Sequence, residues 1–123
     1  MFREDDTITS VEFPETLKTI GNYAFYGCKN LSGNLEFPDS VGEYAFSDTG
    51  VETLELGAGI TVISKATFYG CTKLEGEIKI PDRVSVIADS AFEGCSKIEK
   101  VYLGNGLRYL NPRAFMDCTS ITT

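Results

Sequence analysis

Four cysteines, Cys28, Cys71, Cys95 and Cys118, are the residues best equipped for chemistry. A thiolate can attack an electrophile, ligate zinc or form a disulfide. Zinc sites need paired ligands a few residues apart, and a nucleophilic cysteine needs a base. Here the intervals are 43, 24 and 23 residues and the chain has no histidine, so neither requirement is met. Two structural readings stay open. One is a ladder of buried thiols acting as small apolar groups. The other is a disulfide, Cys71–Cys95 or Cys95–Cys118, although side chains in one stacked column point parallel while a disulfide wants a dihedral of about ±90°.

The remaining candidates are weaker. Gly57-Ala58-Gly59 and Gly104-Asn105-Gly106 have the outline of phosphate-binding loops. A lone GxG carries little weight, and both occupy the place of proline turns elsewhere in the chain. Glu12, Glu36 and Glu55 recur in one column. A surface column is not the pair of carboxylates across a cleft that glycoside hydrolysis uses. No cofactor or metal site is expected, and no enzymatic activity.

These residues are positioned by a repeat. Ala24-Phe25-Tyr26-Gly27-Cys28 returns as Ala45-Phe46-Ser47-Asp48-Thr49, Thr67-Phe68-Tyr69-Gly70-Cys71, Ala91-Phe92-Glu93-Gly94-Cys95 and Ala114-Phe115-Met116-Asp117-Cys118. The phenylalanines are 21, 22, 24 and 23 residues apart. Such a period marks a solenoid, in which each coil buries its apolar side against its neighbours. Before each phenylalanine stands an alternating run: Val11-Glu12-Phe13, Leu35-Glu36-Phe37, Leu54-Glu55-Leu56, Ile78-Lys79-Ile80 and Val101-Tyr102-Leu103. Alternation is the signature of a strand with one buried face, and the proline or glycine that follows ends it. A second apolar pair follows in four copies, such as Val84 with Ile87.

The fold class expected is therefore a repeat solenoid. Short parallel strands form a sheet on one face, turns and short second strands or irregular segments cover the other, and there is little α-helix. The expected domain is 8–123, after a tail at 1–7. Its copies span 8–30, 31–50, 51–73, 74–97 and 98–120, with Ile121 opening a sixth. The phenylalanines should stack as an interior column, with alanine before them because a larger side chain would collide with the next coil.

Copy two departs from the pattern. Phe37 to Phe46 is 9 residues where the others have 12, and Thr49 replaces the cysteine. A local break is expected there. Copies two and four carry Gly33 and Gly76 inside the strand lead, which suggests a bulge or a widened loop.

The outward residues of the runs make the candidate binding face. One row is Glu12, Glu36, Glu55, Lys79, Tyr102; its neighbour holds Asn34, Thr53, Glu77 and Lys100. Stacked repeats present such faces to partners, and tyrosine is enriched at interface hot spots. An ordinary solvated polar face is the alternative. The net charge of −7 argues against nucleic acid, whose phosphates need a basic footprint. No apolar run is long enough to span a bilayer, and no basic segment leads into an apolar one as in a signal peptide.

Val84-Ser85-Val86-Ile87-Ala88-Asp89-Ser90-Ala91-Phe92-Glu93-Gly94-Cys95 resembles the unit of BspA-like leucine-rich repeats. The resemblance runs from about residue 8 to 121. It implies a curved solenoid of leucine-rich-repeat type, a surface or secreted location, and a role in adhesion or host-protein binding. The partner would be a protein. The bare ends fit a fragment of a longer array; the alternative is a homodimer joined through open ends or edges.

Overall fold

The computed structural model describes residues 4–57 and 59–121. It is a solenoid of parallel strands with about four full turns, and it has no helix among the described residues. The front carries β2 (Ser32–Glu36), β4 (Gly50–Glu55), β6 (Glu75–Lys79) and β8 (Lys97–Tyr102). The back carries β1 (Thr19–Ile20), β3 (Ser40–Val41), β5 (Val62–Ile63), β7 (Val86–Ile87) and β9 (Tyr109–Leu110). All pairing is parallel, as chain winding in one sense requires.

The phenylalanines form the expected interior file. Successive ring centroids lie 5.2 Å (Phe25–Phe46), 6.2 Å (Phe46–Phe68), 5.2 Å (Phe68–Phe92) and 5.1 Å (Phe92–Phe115) apart, and each pair is stacked. Their amides hold the file in register. Phe25, Phe46, Phe68 and Phe92 donate to the carbonyls of Ala45, Thr67, Ala91 and Ala114 at 2.7–3.0 Å. Each amide thus bonds to the residue before the next phenylalanine. Ala45, Ala91 and Ala114 are fully buried there, which leaves no room for a longer side chain. Thr67 is the exception. Its hydroxyl donates to the Ser64 carbonyl at 2.9 Å.

The front is not one sheet. β2 pairs with β4 and β6 with β8, but no ladder joins β4 to β6. Val11-Glu12-Phe13 forms no strand either; one bond, from the Ser32 amide to the Thr9 carbonyl at 3.1 Å, reaches β2 from this part of the chain. The glycines explain the split. Gly33 and Gly76 have φ of +89° and +76°, a left-handed conformation open to glycine at no steric cost. The register shifts immediately after each of them. The bulge expected at these glycines is present, but the unpaired residues are Glu52 and Glu99 on the neighbouring strands. A left-handed residue turns the flanking peptides out of the sheet, so each glycine strand pairs forward and not backward.

The back breaks where copy two is short. β1 pairs with β3, and β5, β7 and β9 form a separate three-stranded sheet. At intact junctions the amides of Gly42, Ala88 and Asn111 donate to Ile20, Ile63 and Ile87 at 2.8–3.0 Å. At the break the Ser64 hydroxyl serves instead, donating to Val41 at 2.7 Å. The shortened copy lacks a counterpart of Leu17, Ile60, Val84 and Leu107. Phe37 packs edge-on to Phe46 at 5.1 Å and to Phe68 at 5.4 Å, closer than the equivalent contacts of Phe13 with Phe25 and Phe46 at 6.0 and 6.4 Å.

The glycine-rich triplets are coil turns. A β-carbon on Gly106 would lie 2.1 Å from the Asp82 carbonyl oxygen, so close approach to the preceding turn requires glycine. Ala58 lies outside the described residues. Glu4, within the expected tail, holds a repeat position. Glu4 has φ of +56° and donates its amide to the Tyr26 carbonyl, as Gly27, Asp48, Gly70 and Gly94 do one coil further on each time. Residues 1–3 lie outside the described residues.

Candidate binding face

Strand alternation decides which side chains reach solvent. Leu35 and Ile78 point inward at 2% and 3% exposure, while their neighbours Asn34, Glu36, Glu77 and Lys79 are exposed. The register then places the candidate residues in two quartets. On the first strand pair Asn34 stands opposite Thr53 and Glu36 opposite Glu55. On the second, Glu77 stands opposite Lys100 and Lys79 opposite Tyr102. Because β4 and β6 are not bonded, the quartets lie on separate platforms.

The platforms differ in character. In the first, the Thr53 hydroxyl donates to Asn34 Oδ1 at 2.7 Å and Asn34 Nδ2 donates to Glu55 Oε1 at 3.3 Å. The bulged Glu52 accepts the Gly33 amide at 3.0 Å, satisfying a donor that the bulge removes from the ladder. This half is acidic and internally hydrogen-bonded. The second half mixes charges, and Lys100 Nζ lies 5.8 Å from the centre of the Tyr102 ring, within cation–π range. Glu12 stands outside any strand and lines a shallow open groove of about 390 Å³ with Asn34 and Glu36. Sequence alone did not mark Glu52 and Glu99 as part of this face. Their position is set by the glycine on the partner strand, and the signal was Gly33 and Gly76 themselves.

The cysteines are elsewhere and carry no chemistry on this face. All four are buried, and no disulfide joins them. The Cys71, Cys95 and Cys118 thiols donate to the carbonyls of Phe46, Phe68 and Phe92 at 3.0–3.1 Å. Each thiol therefore ties its coil to the phenylalanine of the coil before. Thr49 in the same slot donates instead to Phe46 of its own coil at 2.9 Å. Burial raises the Cys28 thiol above its ordinary pKa and pushes Cys118 up to about 11. The neighbouring Cys71 thiol, with burial, raises Cys95; Cys71 is lowered, burial being outweighed by its neighbours Cys95 and Thr49, but it is wholly enclosed. Raised thiols stay protonated at neutral pH and are poor nucleophiles.

Among the described residues no cluster of acids and thiols could hold a metal ion. No helix is long and apolar enough to cross a membrane.

A family model for a BspA-type leucine-rich repeat region of six copies matches residues 1–122. No curated protein is significantly similar to the chain. Among solved structures, a leucine-rich cell surface protein from Faecalibacterium prausnitzii A2-165 superposes with a TM-score of 0.84 at 27% identity, over 93% of this chain and 31% of that one. A leucine-rich repeat protein from Bacteroides ovatus ATCC 8483 gives 0.69 at 30% identity, over 93% of this chain and 36% of that one. The chain thus spans about a third of the length of each. Period, phenylalanine file, parallel winding and family match agree: the chain belongs to the BspA-type leucine-rich repeat family.

Proposed function

We propose that the chain is a non-enzymatic protein-binding module of a surface or secreted protein, acting in adhesion or host-protein binding through its front face. The observation that carries this reading is the pair of exposed quartets held in register on β2–β4 and β6–β8. A partner meets an acidic, hydrogen-bonded platform and, beside it, a platform with Lys79, Lys100 and a 45% exposed Tyr102. Ordered polar side chains cost less entropy to dock than free ones, and an exposed tyrosine offers rigid contact area. The surface location of the Faecalibacterium protein supports the setting.

The test is binding of the immobilised chain to a panel of purified host extracellular-matrix proteins. Lys79→Glu with Lys100→Glu should weaken the strongest interaction at least tenfold, and Glu36→Lys with Glu55→Lys should alter it. Unchanged binding in both double variants would remove this face as the site.

A second reading is assembly. Leu103, Tyr109, Leu110 and Met116 of the last coil are 41–52% exposed, and β9 has an unpaired edge among the described residues. Apolar ends and open edges associate with further coils or with another copy. Sedimentation velocity across a hundredfold concentration range should then show a concentration-dependent dimer; a monomer throughout would set this reading aside.

A further inference from the structure

The turn side carries a second feature that the front face does not use. Two residues before each phenylalanine the chain is left-handed in coils one to four, with φ of +53° to +59° at Tyr23, Tyr44, Ala66 and Ser90. A bulky side chain is rare in this conformation. Tyr23 and Tyr44 nonetheless hold it, and their rings stack at 4.9 Å and 1°. In coils three and four the same row shrinks to Ala66 and Ser90. Beside these two small residues, of which Ala66 is itself buried at 1% exposure, lies an open groove of about 300 Å³. Tyr44 closes one end, with Tyr23 behind it, and Arg113, next in the row, closes the other.

The sides of the groove come from the flanking rows. Lys65 and Asp89 lie along one side, Tyr69 and Glu93 along the other. Tyr69 is 39% exposed. Glu93 is 8% exposed and fixed: it accepts the Ser90 hydroxyl at 2.6 Å and Arg113 Nη2 at 3.4 Å. It forms the one ion pair among the described residues. The groove thus has two cations, two carboxylates and two phenol rings.

We infer that this groove is a binding site for a neutral sugar ring. The charges cancel, so an anion would meet Asp89 and Glu93 and a cation would meet Lys65 and Arg113. A neutral polyol meets no like charge, and its hydroxyls both donate to the carboxylates and accept from the cations. The C–H edge of a pyranose carries positive partial charge and packs on the negative face of an aromatic ring, here Tyr44 or Tyr69. The volume is at the low end for ligand sites, the size for one ring of a glycan rather than a peptide segment. The site lies off the front face and is independent of the function proposed above.

The test is saturation-transfer NMR on the full chain with the methyl glycosides of glucose, mannose, galactose and N-acetylglucosamine. Sialic acid and acetyl-arginine amide serve as charged probes. At least one neutral glycoside should bind, with transfer strongest at its ring C–H protons. Ser90→Tyr fills the row with a residue that coils one and two tolerate there. It should weaken binding at least tenfold, as should Tyr69→Ala, with circular dichroism unchanged. Lys79→Glu with Lys100→Glu should leave it intact. Failure of every neutral glycoside, tighter binding of either charged probe, or full binding in a refilled variant that remains folded would overturn the assignment.

Discussion

Two junctions in the same stack are built to different rules. Between coils four and five the rings are 5.1 Å apart, the back ladder is continuous through β7–β9, and the front ladder through β6–β8. Between coils two and three the rings are 6.2 Å apart and β3 and β5 do not pair, although β2 and β4 do on the front. The loss of three residues in copy two removes an inner aliphatic position and one back-strand connection. The chain meets the deficit with a ring at Phe37, where coils three to five have leucine or isoleucine, and with hydroxyls at Ser64, Thr67 and Thr49, where other coils have none. A solenoid thus tolerates a shortened coil because contacts are only between neighbours, and the repair is local.

The largest effect is expected at the tight junction. Phe92 is fully buried between Phe68 and Phe115, so Phe92→Ala should cost about 3–5 kcal/mol in urea unfolding, from lost burial plus the cavity left. A loss no larger than that of Phe115→Ala, whose ring is only partly buried, would show that the file is not what holds these coils. At the loose junction the aromatic at Phe37 is the repair. Phe37→Leu, giving the aliphatic type of coils three to five, should cost about 2 kcal/mol, while Ile80→Leu in coil four should cost under about 1.5 kcal/mol. Equal costs would mean that Phe37 fills no special space. The smallest effect is at the hydroxyl bridge. Ser64→Ala leaves the Val41 carbonyl without its 2.7 Å donor and should cost about 1 kcal/mol.

Much of this was legible in the sequence, because periodicity reports burial directly. The phenylalanine file, the thiol ladder and the site of the break all follow from counting residues between Phe25 and Phe115. Register between strands was less legible. Gly33 and Gly76 announced a bulge, but which strand carries the surplus residue depends on both partners, and it fell to Glu52 and Glu99. The failure of Val11–Phe13 to form a strand has the same origin, since that run faces the backward edge of a glycine strand. The turn-side groove was hidden for another reason. The row can be counted back from the phenylalanines, but its type changes from Tyr23 and Tyr44 to Ala66 and Ser90, and only the backbone angles show its left-handed conformation.

Residue-resolved hydrogen exchange under native conditions tests the stack most directly. The Phe68 and Phe92 amides, bonded to Ala91 at 2.9 Å and Ala114 at 2.7 Å, should exchange only through global unfolding. The Ser64 amide at the broken back ladder should exchange through a lower-energy opening. If Phe92 exchanges as fast as an exposed turn amide, or Ser64 is protected as strongly as Phe92, then the coils are not held in register as described.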